Sequence, residues 1–156
     1  MNAITLLEND HREVERMLDE LEPTTERAVK TRTELFERVK AALSVHEIIE
    51  EEIFYPTLKQ HPKAKDIVLE GYEEHDVVNI LMGELANLSV EDETWGPKCK
   101  VMIENIRHHI QEEEGEMFPD ARQVFDRDEL NQLGDAMAER KQEAMRTMAA
   151  GSTTTR

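Results

Sequence analysis

The chain has 156 residues, enough for one domain with a real core, and its 38% hydrophobic content suits a bundle in which each helix buries a single stripe. A formal charge of -16, from 35 acids against 19 bases, repels nucleic acid and anionic membrane surfaces and excludes both as partners. Leu, Met, Ala, Glu, Lys and Arg abound and no alternating strand pattern occurs, so the chain reads as all-α.

No apolar run approaches the ~20 residues of a membrane span. The start, MNAITLLEND, carries acids at once and has no basic region, so it does not read as a signal peptide. One cysteine, Cys99, rules out an internal disulfide, suits a reducing cytoplasm, and is expected to be a small structural residue on a helix. A cytoplasmic protein is the expectation.

Taken in chain order, the first helix is expected over about Ala3 to Glu22, with His11, Val14, Leu18 and Leu21 at three- to four-residue spacing. Pro23 and the following threonines break it. A second helix spans about Thr31 to Leu58, aligning Leu35, Val39, Leu43, His46, Glu50 and Ile53; Pro56 should kink or end it. After a loop around Gln60 to Lys63, a third helix covers about Lys65 to Leu88, aligning Val68, Tyr72, His75, Val78, Met82 and Leu85. The connection SVEDETWGP leads to a fourth helix from about Pro97, a favourable first-turn residue, to Pro119, with Met102, Ile106, His109, Glu113 and Met117 in its stripe. A fifth, from about Asp128 to Met148, carries Leu130, Leu133, Met137 and Ala144, and serves equally as a cover for the bundle or as a dimer face.

The chain repeats itself. HEIIEEEIFYP, from His46, returns 63 residues later as HIQEEEGEMFP, from His109, and NDHREVERMLDEL around His11 matches EEHDVVNILMGEL around His75. Two similar helical hairpins make an antiparallel up-down-up-down four-helix bundle, over 1–120, with a C-terminal helical extension of the same domain over 121–150 and a disordered tail over 151–156.

In an antiparallel hairpin, residues equidistant from the turn lie at one height. The midpoints of His11 and His46, of His46 and His75, and of His75 and His109 all fall inside expected turns, so four histidines share one level. Glu50 and Glu113 each follow a histidine by four residues, one turn along the same face. Six inward donors exceed the four of a tetrahedral zinc site, and imidazole mixed with bridging carboxylate suits a pair of iron or manganese ions. A lone inward histidine is ordinarily a satisfied core residue. Six buried groups left unsatisfied would cost roughly 6–18 kcal/mol, comparable with the ~5–15 kcal/mol stability of a whole domain. A metal removes that cost.

Other motifs fail. HEIIE ends in Glu50 where the zinc-protease signature needs His, and only Glu8–His11 has the Glu-x-x-His spacing of ferritin-like sites. No phosphate-binding glycine loop and no paired nucleophile and base appears. His61 and His108 fall outside the stripe, and the surplus acids of the EEE runs read as solvated faces.

From NDHREVE through HEIIEEEIFYP and EEHDVV to HHIQEEEGEMFP, the pattern resembles the hemerythrin-like, or HHE cation-binding, family in a bacterial form. The resemblance implies two iron ions in a non-haem centre, bridged by carboxylates and an oxo or hydroxo group, with manganese or zinc fitting less well. It implies His11, His46, Glu50, His75, His109 and Glu113 as ligands, Glu50 and Glu113 bridging. Oxygen-carrying members place a further histidine where Asn79 stands, and space the last ligand pair as H-x-x-x-x-D, whereas this chain offers Glu113 at four and Glu114 at five. Those departures leave a position for water, Glu47 or Glu114, and put reversible oxygen carriage in question.

Two functions follow as expectations. One is binding of, or reaction with, a small oxidant (hydrogen peroxide, dioxygen or nitric oxide), with catalase-like peroxide removal as its enzyme form and Tyr72 or a glutamate moving protons. The other is a non-enzymatic oxygen, redox or iron sensor or an iron-binding module. Either is compatible with a monomer or a homodimer.

Overall fold

The structure, a computed structural model, describes residues 1–154, and among them it contains helices and no strand. Helix α1 (Ala3–Leu21) begins where the Asn2 side chain accepts from the Ile4 amide at 2.7 Å. It runs antiparallel to α2 (Val29–Ile49), which passes through a π-helical segment, Glu50–Phe54, into α3 (Tyr55–Lys59). Helix α4 (Lys65–Ala86) returns, and α5 (Trp95–Glu112) passes through a second π-helical segment, Glu113–Met117, into α6 (Phe118–Val124). Helix α7 (Arg127–Thr154) packs across α1, α2 and the first π segment.

The two π segments occupy equivalent places in the repeat, each separated by one residue, Tyr55 or Phe118, from Pro56 or Pro119. In each, an amide reaches back five residues: Tyr55 N–H donates to the Glu50 carbonyl and Phe118 N–H to the Glu113 carbonyl. A proline inside a helix has no N–H to give and its ring crowds the carbonyl one turn back. The widened turn absorbs that misfit, so both rods continue. The second rod accordingly runs past Pro56 to Lys59, close to its expected end at Leu58, while one expectation is corrected: the fourth rod does not stop at Pro119 but continues to Val124. The inserted residue also moves the buried face. Ile53, aligned with His46 and Glu50 by an unbroken helical period, is half-buried, whereas Phe54 and Tyr55 are wholly covered.

Helix α7 starts from a reciprocal cap. The Asp126 carboxylate accepts from the Glu129 amide at 2.8 Å, and the Glu129 side chain accepts from the Asp126 amide at 3.0 Å. Leu130, Met137 and Ala144 turn inward, with Leu133 half-buried. Gly134 lies under the amino terminus, where an added Cβ would sit 1.8 Å from the Met1 carbonyl oxygen; only glycine fits. Part of the tail expected to be disordered, 155–156, lies outside the described residues, while 151–154 continue α7.

Two apolar clusters fill the bundle. One, near the α3–α4 and α6–α7 loops, includes Ile4, Leu7, Phe54, Phe118 and Met137. The other, toward the α1–α2 and α4–α5 loops, includes Leu18, Phe36, Leu85, Trp95 and Met102. Between them lies a layer of buried ionisable side chains.

Candidate metal centre

All six residues read from the sequence as ligands meet in that layer. His11 comes from α1, His46 from α2, His75 from α4 and His109 from α5, while Glu50 and Glu113 open the two π segments. None is more than 7% exposed, and both carboxylates are fully buried. Their donor atoms form two groups: Glu50, His75, His109 and Glu113 on one side, and His11, His46 and Glu113 on the other, with the atoms of each group within 4.8 Å of one another.

The carboxylates stand between the groups. Glu50 Oε1 lies 3.0 Å from His75 Nε2 and 3.2 Å from His46 Nε2. Glu113 Oε1 lies 2.9 Å from His11 Nε2, and its Oε2 lies 3.3 Å from His109 Nε2. Each carboxylate therefore faces an imidazole of both hairpins. His46 Nε2, Glu50 Oε2 and His109 Nε2 are buried with no hydrogen-bond partner. Orphaned polar atoms of this kind are costly inside a protein, and three of them turned toward one layer fit a cation as the missing partner.

Electrostatics agree. Burial alone would lower the His46 and His109 pKa values, but the surrounding carboxylates outweigh it, Glu50 at His46 and Glu113 at His109, and hold both well above the usual imidazole range. His75 is raised against its burial by Glu50. Burial would raise Glu113, yet His109 and its other partners hold it well below the usual carboxylate range. The metal-free layer thus favours protons on His46, His75 and His109 where cations would otherwise stand, and metal binding must release them.

A second ring of acids orients the first. His11 Nδ1 lies 2.6 Å from Glu114, His46 Nδ1 3.0 Å from Asp10, His75 Nδ1 2.7 Å from Glu51, and His109 Nδ1 2.6 Å from Glu74. A carboxylate only accepts, so every Nδ1 carries its proton outward and every Nε2 faces the centre. The reading of the surplus EEE acids as solvated faces is corrected here for Glu51 and Glu114. The repeat carried a signal for all four outer acids, since Asp10 and Glu74 stand directly before each hairpin's first histidine and Glu51 and Glu114 directly after the two inward glutamates.

Glu114 is engaged by His11 and by Arg12, and Glu47 accepts from the Asn79 amide at 2.8 Å. Neither turns its paired oxygen to the centre. Tyr72 is not at the centre either; it packs edge-on against Tyr55, ring centroids 5.1 Å apart. Tyr55 is the tyrosine that reaches in, donating from its hydroxyl to Glu113 Oε2 at 2.5 Å while stacking on His75. Burial, and then the negative charge of Glu113 and Glu50, push its pKa well above 10 and keep the phenol protonated. Gly71 allows this: a Cβ there would come 2.8 Å from the Tyr55 hydroxyl. His61 packs edge-on against Phe125, the His108 side chain is 59% exposed, and the buried Cys99 thiol is pushed up to about 11, chiefly by burial; none belongs to the site.

Beside His46, His75 and His109 is a cavity of ≈ 10 Å³, walled by Leu43, Val78 and Ile106. That is about the room one water needs. No described helix is long and apolar enough to cross a membrane.

Comparison with known proteins agrees with this geometry. No functionally curated protein matches the chain. A crystal structure described as a hemerythrin HHE cation-binding domain-containing protein from Mycobacterium kansasii matches with a TM-score of 0.81 at 23% identity, covering 92% of this chain and 87% of that one. That likeness shows a shared fold. The family model of the hemerythrin HHE cation-binding domain matches residues 2–121, which run from α1 into α6 and include all six inward donors, and the chain belongs to that family.

Proposed function

We propose that this protein holds a pair of iron ions and uses them to bind, or react with, a small oxidant: hydrogen peroxide, dioxygen or nitric oxide. The observation that carries the reading is the donor count around each position. Two imidazoles face each group, with Glu50 and Glu113 beside His75 and His109, Glu113 beside His11 and His46, and Glu50 Oε1 also 3.2 Å from His46 Nε2, a set that suits non-haem iron and leaves coordination positions free. Bound iron would supply reversible electron transfer and open sites for a small ligand.

The chain's own residues decide what can reach those positions. Leu43, Val78 and Ile106 leave room on the scale of one water beside His46, His75 and His109, which favours ligands of very few atoms. Asn79 carries an amide where oxygen carriers of the family have imidazole, and it is turned to Glu47. This chain therefore lacks the fifth histidine, which favours reaction over reversible carriage. Tyr55 holds a proton at Glu113 Oε2, the one phenol hydroxyl among the described residues that is hydrogen-bonded to an inward carboxylate of the centre.

The enzyme form is catalase-like disproportionation, in which two hydrogen peroxide molecules give two waters and one dioxygen and no external reductant is consumed. The test is oxygen evolution from peroxide by the iron-loaded protein. Release well above a free-iron control supports it; none, with two irons retained, rejects that reaction.

A further inference from the structure

The repeat predicts two equal halves, but the acids behind the histidines are not treated equally. Glu114, behind His11, is bound by the Arg12 guanidinium. Asp10, behind His46, is bound by the Lys141 ammonium at 2.5 Å. Among the described residues, no lysine or arginine pairs with Glu51 behind His75 or with Glu74 behind His109; Glu74 has only the His108 ring at 3.6 Å. Both fixed cations stand on one side of the centre, and one of them comes from α7, beyond the matched domain.

We propose that Lys141 is a positioning residue for the His11–His46 ion position, acting through Asp10 and His46, so that the C-terminal helix is a working part of one half of the metal centre. Asp10 is 6% exposed and uses its two oxygens on two partners: Oδ1 on Lys141 and Oδ2 on His46. Together these bonds fix the carboxylate's rotation, and Asp10 in turn fixes the plane of the His46 ring and aims Nε2 inward. Lys141 is itself partly buried, and its ammonium is delivered to Asp10 by the face of α7 that also seats Met137 and Ala144. Without it, Asp10 keeps a single partner and a free rotation. The equivalent acid of the other hairpin, Glu74, has no α7 beside it and depends on no such contact.

This inference rests on the two-ion reading, and the experiment separates the two. Iron release from the loaded full-length protein to an excess chelator is followed in wild type, Lys141→Met, Lys141→Arg and Arg140→Met. Arg140 also anchors α7, through Glu52 at 2.8 Å, but outside the centre, so it reports on loose docking of the helix alone. Wild type should release two equivalents. Lys141→Met should accelerate one of them by up to about tenfold, the low end of the affinity lost when the acid behind a ligating histidine is itself removed, and leave the other unchanged. Lys141→Arg should restore the wild-type rate, and Arg140→Met should change neither equivalent selectively. In the metal-free protein, ring-nitrogen NMR should show Lys141→Met moving His46 while His75 and His109 stay in place. Equal acceleration of both equivalents, no acceleration, or the same pattern in Arg140→Met overturns the proposal; fewer than two equivalents in wild type overturns the reading beneath it.

Discussion

The α1–α2 hairpin and the α4–α5 hairpin, each taken with the segments that extend it, were written from one pattern and have drifted apart in a few residues around the same centre. Tyr55 and Phe118 occupy equivalent positions, and each stacks on a histidine, Tyr55 on His75 at 5.3 Å and Phe118 on His11 at 5.7 Å. Only Tyr55 brings a hydroxyl. Glu47 and Ile110 are likewise equivalent, one pairing with Asn79 and the other packed in the core. The cations sit behind His11 and His46 alone. What the halves share is therefore what grips metal, and what separates them is proton supply, access and charge.

The largest effect should come from removing what the halves have in common. Glu113 belongs to both donor groups, so Glu113→Ala should cut bound metal from two ions per chain to one or fewer, read by elemental analysis of the purified protein. Two ions retained would show that Glu113 is no bridge.

Next come the acids that the halves hold separately. Glu51→Ala should weaken the His75 side and Glu114→Ala the His11 side, each by about 10–100-fold in affinity for a single ion. Chelator competition would resolve this, and a variant that weakens both ions alike would break the comparison.

Protonation should then distinguish the empty centre from the filled one. His46, His75 and His109 have folded pKa values above the ordinary 6.5, so their stabilisation is fully present below pH 6.5 and is lost as pH rises through the folded values. Glu113 is held below the ordinary 4.5, so its contribution is present above that value and lost as pH falls. Metal-free protein should be most stable between roughly those two values and weaken toward alkaline pH. The loaded protein should lack the alkaline decline. Urea melts across pH would check this, and parallel profiles would contradict it.

The smallest expected change is Tyr55→Phe, which makes the two stacking positions alike. Losing a hydrogen bond to a buried carboxylate should cost about 1.5–3 kcal/mol of metal-free stability, with both ions still taken up. Loss of an ion would make Tyr55 a ligand instead.

The six inward donors were legible because helices repeat every 3.6 residues and the chain states the pattern twice. Equal distances from three turns then placed His11, His46, His75 and His109 at one depth. The outer acids recur in the repeat, but their role was not legible for a physical reason: Asp10, Glu51, Glu74 and Glu114 sit one residue off their stripes and reach a neighbouring helix, and a period along one helix does not say which side chain of the next they meet. The π segments were hidden because a five-residue hydrogen bond leaves no mark on composition; the repeated proline was the available signal, and by itself it reads as a helix end. Tyr55 was missed in favour of Tyr72 for the same cause, since the inserted residue rotates everything after Glu50.

Anomalous diffraction at the iron edge, from crystals of the loaded protein, tests the central claim most directly. Two peaks are predicted, one between His75 and His109 and one between His11 and His46, with Glu50 and Glu113 reaching both. A single peak shared by all four imidazoles, or iron bound outside this layer, would contradict it.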